Sequence, residues 1–288
     1  MRRRFGILAT AVACAVSAPV MAADAGVHLD TFPTDKMHDM PALQDGARTF
    51  VNYCLNCHGA SMMRFNRLKD IGLTDDQITE SLVFTGARVG DLMKVSMTPA
   101  DGKAWFGAAP PDLSVVARAR SSHDGTGADW LYTYLRSYYR DATRETGWNN
   151  AIFANVGMPH ILWQWQGSRG AVEERVAPVK DEATGETTGW KKTIIEFDRY
   201  GNRAEREEAL QGTDHVEGST FKLGTPEGGT LTQAEYDEKV ANLVAFMNYM
   251  ADPTASTRSS LGIWVILFLL VFIASAWKLN REFWKDVK

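Results

Sequence analysis

The sequence predicts a mainly α domain, interrupted by one polar stretch with the pattern of a β-hairpin and followed by one transmembrane helix. Three observations carry this expectation. Apolar residues recur at helical spacing in several segments before residue 140 and again after residue 232. Residues 167–230 lose that spacing and are rich in Gly, Glu, Lys and Thr. Leu261 to Trp277 then runs without a single charge. The chain has 288 residues and a net charge of −4, enough for one large domain or two small ones. It contains no internal repeat.

The two ends differ in kind. Arg2, Arg3 and Arg4 precede an apolar run from Gly6 to Ala18, and small residues follow around Ala22 and Ala23. This predicts a secretory signal peptide over residues 1–23, because the apolar run is too short to cross a bilayer. At the other end, residues 258–279 as a helix span about 30 Å, the thickness of the hydrocarbon core. Trp264 and Trp277 sit near its ends, where interfacial aromatics belong. The short tail beyond it, residues 280–288, is basic, which places it in the cytoplasm. The head, residues 24–257, is then expected on the periplasmic side of a bacterial inner membrane. Without the signal arginines and the basic tail, the chain is acidic. That charge disfavours nucleic acid and suits cationic partners, with Glu173, Glu174, Glu205, Glu207 and Glu208 as candidate docking residues.

Along the head, Leu43, Ala47, Phe50 and Val51 predict a helix over 41–53 that delivers the chain to Cys54, with Phe50 and Val51 facing whatever binds there. Thr74 to Gln77 is a capping box opening a short helix that ends near Gly86. Pro110 to Ser114 is a stiff turn leading into a helix through Arg120. Trp130, Leu131, Tyr134, Leu135 and Tyr138 predict a helix over 128–139. Val172–Val179 and Trp190–Phe197 read as two strands around the turn-like tract 181–189. Thr232 to Glu235 is a second capping box. It opens an amphipathic helix with Tyr236, Val240, Leu243, Val244, Met247 and Met250 on its core face, which Asp252-Pro253 ends.

The chemistry lies in CLNCH, residues 54–58. Two thiols three positions apart, followed directly by histidine, form the attachment pattern of a covalent haem. Cys54 and Cys57 can add to the two vinyl groups, and His58 then lies beneath the iron as its proximal ligand. A redox dithiol would need a surrounding βαβ pattern, which the sequence lacks. The head therefore reads as a cytochrome c-like haem domain with one haem c and no independent catalytic site. An iron that carries electrons needs a second axial ligand, and methionine raises its potential. Met62 and Met63 are too close to His58 to reach the other haem face, and Met37 and Met40 lie in the N-terminal arm. Met93, Met97 and Met158 sit in loop-like contexts that spacing alone does not separate. Met158 has the most favourable setting, since Gly157 permits close backbone approach and Pro159 stiffens the loop. His160 is a rival donor, for which packing is the simpler role.

Taken together, CLNCH, APPDLS (109–114) running into ARAR (117–120), GMP (157–159) and one C-terminal anchor resemble cytochrome c1 of bacterial type. That family is the haem subunit of the quinol:cytochrome c oxidoreductase, the bc1 complex. The resemblance implies a membrane-bound electron carrier between the Rieske iron–sulfur protein and a cytochrome c, assembled with cytochrome b. It implies Met158 as sixth iron ligand and Arg120 as partner of a haem propionate, although from the residues alone Arg118 serves equally. The chain departs from mitochondrial members in reading Met-Pro-His after Gly157 rather than Met-x-Pro-Pro. With Cys54 and Cys57 committed, no cysteine pair remains for a structural disulfide. Another membrane-anchored c-type carrier, or a haem sensor, is the alternative.

Overall fold

The computed structural model describes residues 28–286 apart from 85, 182, 183 and 213. The expected signal peptide, with Cys14, lies outside the described residues. A 3-10 turn, Thr34–His38, leads into α1 (Met40–Thr49), which carries Pro41 in its first turn where no amide hydrogen bond is lost. The chain then widens into a π-type turn, Phe50–Cys54. β1 (Ala60–Arg64), a 3-10 segment (Phe65–Ile71), α2 (Asp75–Leu82) and β2 (Leu92–Met93) follow, with β2 antiparallel to β1. Next come α3 (Pro99–Phe106), α4 (Val116–Ala119) and α5 (Gly127–Arg136). Thr74, Thr98 and Thr126 each close a complete capping box, with Gln77, Asp101 and Asp129 as reciprocal partners. α2 stops at Leu82, short of the expected Gly86, and α3 was not expected.

α5 also ends earlier than its spacing suggests. The Ser137 hydroxyl turns back to the Tyr134 carbonyl (3.3 Å) and also bonds Asn150 (3.1 Å). Residues Tyr138–Arg140 become β3, paired antiparallel with β4 (Trp148–Asn150). Neighbouring side chains in a strand point to opposite faces. Tyr138 therefore joins the main core, while Tyr139 joins a small separate one. After α6 (Trp163–Gln166) and β5 (Gly167–Ser168), the polar stretch unfolds as β6 (Ala171–Lys180), β7 (Thr187–Phe197), β8 (Arg203–Leu210) and β9 (Gly218–Leu223). β10 (Glu227–Gly228) returns to pair with β5.

The expected hairpin exists as β6–β7, but it forms the middle of a four-stranded antiparallel sheet ordered β8-β7-β6-β9. Ala171, Ile195 and Phe197 pack with Tyr139 beneath it. The outer strand β8 buries almost nothing and is tied across the ladder by ion pairs, Lys191 to Glu207 at 2.7 Å and Arg206 to Glu196. Buried Arg169 joins the sheet to the rest of the head. It donates to the Tyr138 carbonyl (2.9 Å) and to the Arg136 carbonyl at the end of α5, where a cation is favoured.

The core is organised by α7 (Gln233–Ala251), whose Tyr236, Val240, Leu243, Val244, Phe246 and Met247 are buried. α1 crosses it in backbone contact at Gly46, where a Cβ atom would lie 2.0 Å from the Asn242 carbonyl oxygen. Beside this crossing the Asp45 carboxylate accepts hydrogen bonds from Lys239 (2.7 Å), Asn242 (2.9 Å) and Arg48 (2.9 Å). α8 (Ala255–Phe283) leaves the head as a long helix. Its segment Thr257–Phe283 is long and apolar enough to cross a membrane, and its most apolar stretch buries nothing against the protein.

Two outcomes follow from the α1–α7 crossing. Gly46→Ala should destabilise the head by about 1–3 kcal/mol, the usual cost of overpacking, read from its thermal midpoint. Burial alone would raise the Asp45 carboxyl, but its bonds to Lys239, Asn242 and Arg48 outweigh burial and hold it below the ordinary carboxylate range. A depressed pKa contributes stability that is complete above the unfolded value near 4 and is lost as pH falls through the folded value. Asp45→Asn should flatten that acid limb of the stability curve. Parallel curves for the two proteins would refute it.

Candidate functional site

The π-type turn sets the site. Leu55 N–H bonds the Phe50 carbonyl five residues back at 3.0 Å, and His58 N–H then closes on the Cys54 carbonyl at 2.8 Å. The wider turn shifts the helical phase. Tyr53 and Cys54 therefore face the site, joined by Cys57 and His58. Phe50 and Val51, expected there, turn into the core instead; Phe50 packs on Phe246 with ring centroids 5.6 Å apart.

Cys54, Cys57 and His58 line one cavity of about 310 Å³. Its other walls are Phe106 and Ala108–Pro111 before α4, Trp130, Leu131, Tyr134 and Leu135 of α5, Val156–Pro159, and Leu243 and Met247 of α7. Among the described residues, Arg120 is the only full charge on its lining. Its guanidinium lies 4.4 Å from the Trp130 ring centroid and 5.6 Å from that of Phe153. Arg118 does not line the cavity; its charge acts on Asp252 instead. Geometry thus distinguishes the two arginines that the sequence leaves equivalent.

The PPDLS segment orients the histidine. His58 Nδ1 lies 2.7 Å from the Pro111 carbonyl oxygen. A carbonyl can only accept, so Nδ1 carries the proton and Nε2 keeps its lone pair for a metal. Burial lowers the pKa of His58, which favours this neutral ring. Leu113 N–H bonds the Gly59 carbonyl (2.8 Å), and the Asp112 carboxylate takes Ser61 N–H (2.8 Å) and Ser114 N–H (2.9 Å). The loop is thereby pinned to the segment that follows CLNCH. Burial also pushes the Cys54 thiol up to about 12, so this sulfur is an un-ionised, buried group beside the cavity.

Among the methionines of the described residues, Met158 and Met247 reach the cavity. Met63, Met93 and Met250 are core residues, Met62 is exposed, and Met37 Sδ contacts Asn248. Met97 packs near Gly102. Met158 is held at both ends: Tyr134 Oη lies 3.5 Å from its sulfur and Tyr138 Oη lies 3.3 Å from its carbonyl oxygen. The two hydroxyls are themselves 2.6 Å apart, so two phenolic protons serve three contacts. The sequence places both tyrosines on a helix face without revealing this role. Gly157 is required, since a Cβ there would lie 2.8 Å from the Phe106 carbonyl oxygen.

His160 stays outside the cavity. It stacks on Tyr138 (4.7 Å, 7° between planes), meets Trp148 edge-on, and burial lowers its pKa to about 3. It is a neutral packing residue. The candidate docking acids are already engaged: Glu173 with Arg175, Glu174 with Lys192, Glu205 with Arg203, Glu207 with Lys191 and Glu208 with Arg206. Glu174 and Glu207 pair across neighbouring strands, while Glu173, Glu205 and Glu208 pair with arginines two residues away on their own strands.

The donor set matches a covalent haem: two thiols, one imidazole with a free lone pair, a thioether and apolar walls around them. If Asp112 orients His58 through the PPDLS loop, Asp112→Ala should lose charge-assisted bonds worth about 1.5–3 kcal/mol each. The expected result is a lower yield of haem-loaded protein and a lower midpoint for loss of the haem spectrum on heating. An unchanged midpoint would contradict it.

Residues 33–167 match the Cytochrome C1 family. Cytochrome c1 of Allochromatium vinosum is 38% identical over 282 residues, covering 98% of each chain. A protein of Nitrosomonas europaea named ammonia monooxygenase gamma subunit is 40% identical over 272 residues, 94% of each chain. Cytochrome c1 of Rhodospirillum rubrum is 27% identical, over 87% of this chain and 84% of its own. With a matching site and near-full-length similarity, the chain belongs to the cytochrome c1 family, whose members carry covalently bound haem c.

Proposed function

We propose that this chain holds its haem iron between His58 Nε2 and Met158 Sδ, takes an electron from the Rieske iron–sulfur protein and delivers it to a cytochrome c. This refines what family membership establishes, a membrane-anchored haem electron-transfer subunit of the bc1 complex. The observation that carries it is the convergence of both cysteines, the His58 ring and Met158 on one apolar cavity. The haem, when bound, supplies reversible one-electron chemistry at its iron. The protein supplies everything that fixes its setting. Cys54 and Cys57 anchor the macrocycle, and the Pro111 carbonyl fixes the His58 tautomer. Tyr134 holds the thioether and Tyr138 the carbonyl of the same residue, and the aromatic wall excludes water. Arg120, seated on Trp130 at the cavity, is suited to a propionate. With His58 and Met158 both bound to it, the iron would keep no open position, which would favour electron transfer over gas binding.

On this proposal the head, residues 24–257, lies on the periplasmic side, 258–279 crosses the inner membrane and 280–288 is in the cytoplasm, with cytochrome b as the membrane neighbour. The basic tail supports this orientation, and the tryptophans near both ends of the span support its position in the bilayer. The net acidity of the head would steer a basic cytochrome c. The name of the Nitrosomonas relative favours a second function, that of a subunit of an ammonia-oxidising assembly. Affinity purification of the intact membrane complex separates them. Cytochrome b and an iron–sulfur protein should accompany this chain; oxygenase subunits in their place would support the second function. Met158→Ala should keep the covalent haem, lower its reduction potential and let the ferrous protein bind carbon monoxide. An unchanged potential would remove Met158 from the iron.

A further inference from the structure

The segment that carries Met158 has almost no regular structure. Between β4 and α6 the backbone turns through residues 151–162 without a helix or a ladder. Its amides must still find partners where they are buried. Two adjacent asparagine side chains supply them. Asn150, fully buried, accepts Ile152 N–H (3.1 Å) and Phe153 N–H (3.2 Å) through Oδ1, and donates Nδ2–H to the Tyr134 carbonyl (2.8 Å). Asn149, also buried, accepts Asn155 N–H (2.9 Å) through Oδ1 and donates to buried Asp141 (3.0 Å).

The second of these bonds falls on a special residue. Asn155 has φ 60°, the only positive value outside glycine among the described residues. That conformation costs energy for a side chain with a Cβ and persists only where neighbours impose it. Asn149 fixes its amide, while Arg144 bonds its side-chain oxygen (3.1 Å) and its carbonyl (3.2 Å). The left-handed step then delivers Val156, Gly157 and Met158 to the cavity. Asn150 meanwhile grips the carbonyl of Tyr134, the residue whose hydroxyl meets the Met158 sulfur. Asn150 therefore couples the methionine segment to α5, and Asn149, paired in β4 with β3, ties it to Asp141 just beyond that strand.

We propose that Asn149 and Asn150 are positioning residues for the sixth iron ligand: their amides set the path of 151–157 so that Met158 sulfur is held at the iron. This rests on Met158 as that ligand. Thioether is a weak, uncharged donor, so its bond to iron depends on being presented without conformational cost. Neither asparagine lines the cavity, so both act through the backbone they hold.

The test uses the haem-loaded full chain and three readouts: reduction potential, the sulfur-to-ferric-iron charge-transfer band, and carbon monoxide binding by the ferrous form. Asn149→Ala should keep covalent haem but lose most of that band, lower the potential and bind carbon monoxide. Asn149→Asp combined with Asp141→Asn, which keeps the Oδ1 acceptor for Asn155 and reverses the donor and acceptor between residues 149 and 141, should retain more of the band than Asn149→Ala. Covalent haem with an unchanged band and potential in Asn149→Ala would overturn the proposal. Met158→Ala run alongside separates the two ideas. If it abolishes the band while Asn149→Ala does not, only the positioning role fails; if it leaves the band intact, the ligand itself is wrong. Should Asn149→Ala not fold, amide exchange in the unaltered protein decides. The amides of Ile152, Phe153 and Asn155 should become exchangeable over the same temperature range in which the band disappears. Free exchange at these amides with the band intact would overturn the proposal.

Discussion

The hydrogen bond between His58 Nδ1 and the Pro111 carbonyl is the contact on which the rest of the site depends. It decides which ring nitrogen carries a proton, and hence which can bind a metal. It is made by a loop rather than by a helix, so the loop itself has to be fixed. Asp112 does this by collecting the amides of Ser61 and Ser114, and the Gly59–Leu113 bond completes the clasp. The short run from Pro110 to Ser114 is thus one device with two ends, a proton acceptor for His58 and an anchor on the chain beyond CLNCH. The π-type turn before Cys54 is the complementary device, since it rotates the attachment residues onto the cavity and sends Phe50 into the core.

On the methionine side the protein relies on packing rather than on a clasp. α5 presents Tyr134, and the strand directly after it presents Tyr138; together they touch both the sulfur and the carbonyl of Met158. His160 supports Tyr138 from behind by ring stacking and does so as a neutral group. The residue that distinguishes this chain from the mitochondrial pattern therefore serves the methionine segment from outside the cavity. The sheet β6–β9 contributes little to this arrangement directly. Its link to the site is Arg169, which closes the carbonyls at the end of α5 and the start of β3.

Much of this was legible in the sequence, and the rest was hidden for physical reasons. CLNCH announces its chemistry because covalent attachment tolerates little variation in spacing. The boxes at Thr74 and Thr232 were readable because Gln or Glu stands at the third helical position. Those at Thr98 and Thr126 use Asp101 and Asp129, a shorter side chain outside the usual pattern, and so α3 was missed. The 3–4 spacing through Tyr138 suggested a longer α5, but spacing carries no information about Ser137 turning back on the helix. β8 escaped notice because it has no apolar alternation; cross-strand charges take the place of a buried face. The roles of Asn149 and Asn150 could not be read at all, since asparagine before a loop is ordinary until its partners are known.

On the proposed function, one cavity holds iron between His58 and Met158. The most direct measurement is NMR of the ferrous, haem-loaded protein with isotope-labelled methionine methyl groups. A methionine bound to iron lies over the porphyrin, whose ring current shifts its methyl signal far upfield. One such signal is expected, and it belongs to Met158. An upfield methyl belonging to Met247, the other methionine on the cavity, or no upfield methyl at all, would contradict it.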